Sequence, residues 1–243
     1  MIFEMSIAFL AVDCQKAWLD PKGENFNPGD AVPFIKDTLL PFFEKYGFKT
    51  SEIISDYRMP RRHGDASSCV PGTLNFESVI PRGCIGKPGR WVKRSHGPTW
   101  TSIGAGDKDA VPGLPYEDPE TFNKWLLDHI GPPGKSQIVL FGLTMDVCVQ
   151  AVLQALYWRG YGNEGNRIQV LYPATCPMRN PKDEGYKEFL KEHLSTFGDF
   201  ISFEKLKELL ILDKLKEGSE RRAITAAPQR PAITTGIHVK ERE

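Results

Sequence analysis

The sequence predicts an α/β fold, a three-layer sandwich in which a central, mostly parallel sheet lies between two layers of helices. Three observations carry this. Short apolar runs rich in branched residues alternate along the chain with longer amphipathic stretches. The chain has 243 residues, 40% of them hydrophobic, which is enough to bury both faces of such a sheet. Finally, Asp13, Lys93 and Cys148 each fall at or just beyond the end of an apolar run. The carboxyl ends of parallel strands share one rim of the sheet, and ligands bind at that rim.

The elements follow in order. Residues 6–12 read as a buried first strand. The apolar start over residues 5–12 is too short to cross a bilayer. It lacks a basic leader and runs straight into Asp13, so it makes a poor signal peptide and the expected location is cytoplasmic. Residues 31–46 read as a helix, with Asp30 as its cap and Gly47 as its stop. A short strand is expected over 52–55, then a long polar stretch over 56–89, dense in Gly, Pro, Ser and Arg. Residues 91–93 give a brief strand and 119–130 a helix. A strongly buried strand over 137–141 is followed by a helix over 147–161. A strand over 167–172, a helix over 181–194, a strand over 200–203 and a closing helix over 204–216 complete one domain, residues 1–216. Residues 217–243 mix charges with Pro, Ala and Thr without periodicity, as a flexible or arm-like tail would.

Composition excludes several classes of function. There are 31 basic and 31 acidic residues, so the formal net charge is zero and nothing global points to nucleic acid or an anionic membrane as partner. The five cysteines, Cys14, Cys69, Cys84, Cys148 and Cys176, are odd in number and form no CxxC pair. That argues against a zinc cage or a disulfide framework. Neither GxGxxG nor GxxxxGK[ST] occurs, so a nucleotide-binding domain has little support.

The chemistry centres on Cys148. A buried strand ends at Phe141, Gly142 allows a tight turn, and a helix begins. A cysteine in the first turn of a helix feels the positive end of the helix dipole. Its thiol is expected to acidify, the more so beside an ammonium such as Lys93. Asp13 would then take the thiol proton and deliver it to a departing amine. Backbone N–H groups at the same turn would hold the oxyanion. Taken singly, a buried Cys is a packing residue, a strand-end Lys a solvated tip, and an Asp after a strand a turn residue. The convergence of all three on one rim favours chemistry.

These residues resemble a family. Val12-Asp13-Cys14-Gln15 is similar to the Asp-x-Gln opening of the isochorismatase-like cysteine hydrolases. Lys93, within Trp91-Val92-Lys93-Arg94-Ser95, resembles their lysine, and the run from Gly142 through Cys148 to Tyr161 resembles their nucleophile segment. The resemblance spans residues 6–203. It implies a Rossmann-like, isochorismatase-type hydrolase fold and a thioester on Cys148, with Asp13 as acid/base and Lys93 activating the thiolate. It also implies a cis peptide between Leu143 and Thr144 that aims the N–H of Thr144, with that of Cys148, at the oxyanion.

Nicotinamidases are the nearest comparison within that family, and here the pattern breaks. Asp56 looks like the start of their Asp-x-His metal motif, and Cys69-Val70-Pro71-Gly72-Thr73 like the segment after another metal histidine. The expected histidines are replaced by Arg58 and Ser68, and a guanidinium is no ordinary metal ligand. The expectation is no metal and no other cofactor, although His63 and Asp65 offer a shifted alternative. Arg58 is expected to pair with Asp56 or, with Arg61 and Arg62, to form a rim for a carboxylate-bearing substrate. Arg58→Ala would then raise KM for an anionic substrate. Trp18 and Trp100 are candidate pocket walls, and His96 reads as an ordinary loop histidine.

The resulting expectation is a cysteine amidohydrolase acting on a small carboxamide, ureido or carbamoyl C–N bond, in a homo-oligomer. Three alternatives stay open: a metal-dependent nicotinamidase, a vinyl-ether hydrolase of the isochorismatase type, and a catalytically silent member serving as a binding subunit.

Overall fold

The computed structural model describes residues 6–162 and 167–211. The expected tail, and the end of the closing helix beyond residue 211, lie outside the described residues, as does Met5. Six parallel strands form the sheet: β1 (Ser6–Val12), β2 (Thr50–Ser55), β3 (Ile85–Lys93), β6 (Ser136–Gly142), β7 (Ile168–Leu171) and β8 (Gly198–Ile201). Their order is β3-β2-β1-β6-β7-β8. The chain winds outward from β1 in one direction and from β6 in the other. The order therefore reverses between β1 and β6, which pair in parallel from Ser6↔Ser136 to Val12↔Gly142. A ligand crevice forms where such a reversal opens at the strand ends.

Period-two alternation fills both faces of the sheet. Phe9, Ala11, Val139 and Phe141 point to one side, against the helical residues 31–46 and the helix at residues 203–211. Leu10, Val12, Ile138 and Leu140 point to the other, against Phe122 and Trp125 of the helix Pro119–His129, Val152 and Leu153 of the helix Gln150–Leu156, and Leu190 of the helix Glu184–Leu194. Both faces are covered, so the strands read as nearly continuous apolar runs rather than alternating ones. The three-layer α/β architecture expected from the sequence is the one observed.

Several boundaries differ, each for a local reason. Asp30 makes no side-chain capping bond, because it already has helical backbone angles itself. Gly47 does stop that helix, in the left-handed conformation at φ 71°. Helix 181–194 begins later, at Glu184, because Asp183 accepts a bond from the Tyr186 N–H and so caps it. The strand expected at 200–203 is shifted to Gly198–Ile201, and Phe203 is already helical. The strand at 91–93 extends back to Ile85, since β2 pairs with it at Ile85 and again from Arg90 to Lys93, with an irregularity in register between. A small antiparallel pair, β4 (Trp100–Thr101) with β5 (Tyr116–Glu117), was not legible: two residues are too short to show a period. Among the described residues no helix is long and apolar enough to cross a membrane.

Candidate active site

Asp13 is the first residue past β1, and it turns there with φ 49°, a left-handed conformation that Asp tolerates better than most residues. Its N–H still bonds Ile53 O at 2.8 Å, so the turn stays attached to β2. Gln15 fastens the same corner. Its amide donates to Ser55 O at 3.0 Å and Phe76 O at 3.1 Å, and accepts from the Ser55 N–H at 2.8 Å. The Asp13 carboxylate, 1% exposed, accepts from Ser55 Oγ at 2.8 Å and pairs with Lys93 Nζ at 2.9 Å.

Lys93 is the last residue of β3, in register with Ser55 at the end of β2. Its ammonium donates to Ser55 Oγ at 2.7 Å and to the Tyr57 hydroxyl at 2.8 Å, and it lies 3.4 Å from Cys148 Sγ. Burial works against its charge, but Asp13, Cys148 and Tyr57 together hold its pKa well above the usual lysine value. A buried ammonium persists when it is paired and hydrogen-bonded in this way.

Cys148 sits past the end of β6, on the opposite side of the strand-order reversal from Asp13. Gly142 makes this approach feasible: it has φ 122°, and a Cβ there would come within 2.0 Å of Val12 O. The peptide between Leu143 and Thr144 is cis. The first turn of the following helix is wide, with the Val149 N–H reaching Thr144 O at 2.9 Å, a five-residue spacing. The Thr144 N–H meets no acceptor among the described residues.

The thiol itself differs from expectation. Cys148 is 4% exposed, and burial pushes its pKa up to about 12 against the downward pull of Lys93, with Asp13 adding to the rise. The dipole and the ammonium do not outweigh desolvation and a neighbouring carboxylate. Burial thus favours the thiol form of the sulfur beside the ion pair. Cys14, next to Asp13 in the chain, is a different case. It packs in the apolar layer under β1, and burial and Glu52 raise its thiol pKa well above the usual value.

The Asp-x-His metal pattern, already broken in sequence, is closed in space. The buried Asp56 carboxylate accepts from Arg58 Nε at 3.0 Å, Arg58 Nη2 at 2.8 Å, Arg94 Nη1 at 3.0 Å and the Gly106 N–H at 2.9 Å. Burial opposes its charge, but these donors, Arg58 first, hold its pKa below the usual carboxylate value. Two guanidiniums take the lone pairs a cation would need, so these residues do not fit a metal ion. His63 stacks on His96, ring centroids 5.4 Å apart, and no group of three or more His, Cys, Asp or Glu able to hold a metal occurs among the described residues.

The remaining candidates scatter. Arg58 turns its other donors to Ala110 O at 2.8 Å and Gly104 O at 3.0 Å, so it faces Asp56 and a loop rather than an open rim. Arg61 covers the Tyr57 ring, and Arg62 lies 3.7 Å over Trp100. Trp18 is buried and, with Asn25, Phe26 and Met178, lines a cleft of about 340 Å³. Sequence reasoning missed Ser55 and Tyr57. They flank Asp56 at the end of β2, and two-residue alternation sends 55 and 57 toward Lys93 while Asp56 faces the other way. That alternation was the available signal.

No protein-family model and no curated protein matches this chain. Solved structures do. An isochorismatase-like hydrolase from Alkaliphilus metalliredigens superposes with a TM-score of 0.58 at 17% identity, covering 84% of this chain and 99% of the other. A pyrazinamidase of Pyrococcus horikoshii in complex with zinc gives 0.52 at 17% identity, covering 82% and 99%. A nicotinamidase from Bacillus subtilis gives 0.52 at 16% identity, covering 82% and 100%. At such identities the likeness is one of fold: this chain has the isochorismatase-type, Rossmann-like architecture.

Proposed function

We propose that the chain is a cysteine hydrolase that cleaves a small carboxamide, ureido or carbamoyl C–N bond through a thioester on Cys148. The observation that carries this reading is the buried contact of a carboxylate, an ammonium and a thiol at the sheet's reversal point, with Asp13 and Lys93 at 2.9 Å and Lys93 and Cys148 at 3.4 Å. Titratable groups brought together in this way mark functional sites.

The raised thiol supports a concerted order of events. Asp13 takes the proton from Cys148 as the sulfur attacks the carbonyl carbon, so the thiolate exists during the attack and not before it. Lys93 holds the negative charge as it passes between carboxylate and sulfur. The N–H of Thr144 is free to meet the oxyanion. Asp13 then gives its proton to the leaving nitrogen, the C–N bond breaks, and an amine or ammonia departs. Water attacks the thioester with its proton going to Asp13, and the acid leaves as the sulfur recovers its proton. No step requires a metal, since Asp56 is already saturated by arginine donors. The occupant of the site is a small amide-like molecule, and Trp18 is proposed as a wall of its pocket. Trp100 and Arg58, engaged with Arg62 and Asp56, act on the substrate at most through the loops they hold.

Release of ammonia from a panel of small amides and ureido acids, nicotinamide included, tests the reading. Wild type should release ammonia from at least one compound. Cys148→Ala should abolish this, Cys14→Ala should retain it, and a chelator should leave it unchanged. Activity that survives in Cys148→Ala, or that disappears with chelator, overturns the mechanism.

A further inference from the structure

Tyr57 stands between the two ends of the charge relay and has no part in the chemistry described so far. Its side chain is buried, and its backbone is pinned by reciprocal bonds with Ser68, at 3.0 and 3.1 Å. Arg61 covers the ring at 4.8 Å. Ser68 is the position where the resemblance expects a metal histidine, and here its backbone forms an isolated bridge with the residue that carries the phenol.

The protons can be counted. An ammonium has three. Lys93 has four partners within reach: Ser55 Oγ at 2.7 Å, Tyr57 OH at 2.8 Å, Asp13 Oδ2 at 2.9 Å and Cys148 Sγ at 3.4 Å. Its hydrogen bonds go to Ser55 Oγ, Tyr57 OH and Cys148 Sγ, and Asp13 Oδ2 is its ion-pair partner without a hydrogen bond of its own. A phenol that accepts from an ammonium must point its own proton elsewhere. The sulfur of Cys148, 3.8 Å from the Tyr57 oxygen, is the hydrogen-bond partner on that side. We propose that Tyr57 is a positioning residue that donates its O–H to the Cys148 sulfur, giving the nascent thiolate a second hydrogen bond beside that of Lys93. This rests on the cysteine-hydrolase reading.

The test needs no substrate. Alkylation of Cys148 by iodoacetamide is followed by intact mass from pH 6 to 8, on the rising limb below the thiol's midpoint, in wild type, Tyr57→Phe and Cys148→Ala. A second replacement, 3-fluorotyrosine at position 57, keeps the shape while making the phenol a stronger donor. Loss of a hydrogen bond to a charged sulfur should slow alkylation about tenfold across this range in Tyr57→Phe. Fluorotyrosine should speed alkylation, and melting curves should confirm that both proteins are folded. In turnover with an amide, kcat should fall more than KM rises. Unchanged alkylation rates in both replacements overturn the proposal for Tyr57 while leaving the nucleophile intact. If wild type is alkylated no faster than Cys148→Ala, the nucleophile assignment falls and the proposal falls with it.

Discussion

Asp13 and Lys93 are worth more as a pair than either is alone. Both are essentially inaccessible to water, and each is the other's charge partner at 2.9 Å. Taking two charges out of water is expensive, and removing one partner strands the other. Lys93→Met keeps the length and apolar stem of the side chain but leaves the buried Asp13 carboxylate without its charge partner. It should cost about 3–5 kcal/mol in urea unfolding. The double change Asp13→Leu with Lys93→Met should recover much of that loss while staying inactive. A double variant no more stable than the single one would mean that the carboxylate is solvated. The same reasoning explains why the sequence misled about the thiol. Lys93 and a helix start are visible along the chain, but full burial is not, and desolvation of Cys148 wins over both.

The elements were legible to the extent that they carry a period. Both strands flanking the reversal point, β1 and β6, are apolar after their polar first residues, Ser6 in one and Ser136 and Gln137 in the other, and stand out in the sequence. The same holds for the helix Pro119–His129, whose first turn is capped by Asp118 accepting the Thr121 N–H. What the period could not show was the wide turn that carries Cys148, the two-residue strands, or Ser55 and Tyr57, whose role depends on which strand lies beside β2. The tightest of these junctions is Gly142. A methyl group there would meet the carbonyl of Val12, backbone against backbone, where no side chain can rotate away. The positive φ adds strain for any L side chain. Gly142→Ala should therefore push β1 and β6 apart at the rim. We expect a melting temperature lower by several degrees and loss of Cys148 reactivity even in the fraction that folds. Wild-type stability and alkylation rate in Gly142→Ala would show that the rim tolerates widening.

At the scale of the whole molecule, Asp56 joins parts of the chain that the sheet alone would leave loose. Its carboxylate holds Arg58 after β2, Arg94 after β3 and the Gly106 amide in the loop before β5. Arg94 in turn donates to Arg58 O at 2.7 Å and Pro60 O at 2.6 Å. The long polar stretch expected to be a loop is thus anchored at its start by a buried cluster of one carboxylate and two guanidiniums. The consequence is acid lability with a definite sign. The folded-state pKa of Asp56 lies below its usual value, with Arg58 the strongest of the groups that lower it against burial. A carboxylate of this kind adds stability that is complete above its unfolded value of about 3.9 and is lost as pH falls through the folded one. Asp56→Asn should be less stable than wild type by about 1.5–3 kcal/mol at pH 7, the scale of hydrogen bonds to a charged group. That gap should hold down to about pH 4 and close below it as wild type loses the advantage. Arg58→Ala should act by the same route, lowering stability at neutral pH rather than raising KM for an anionic substrate, because its donors face Asp56 and loop carbonyls. Melting temperatures of the three proteins measured from pH 7 to pH 3 decide the matter. A gap between wild type and Asp56→Asn that stays constant to pH 3 would show that the cluster does not titrate with folding, and a KM change in Arg58→Ala at unchanged stability would return that guanidinium to the substrate.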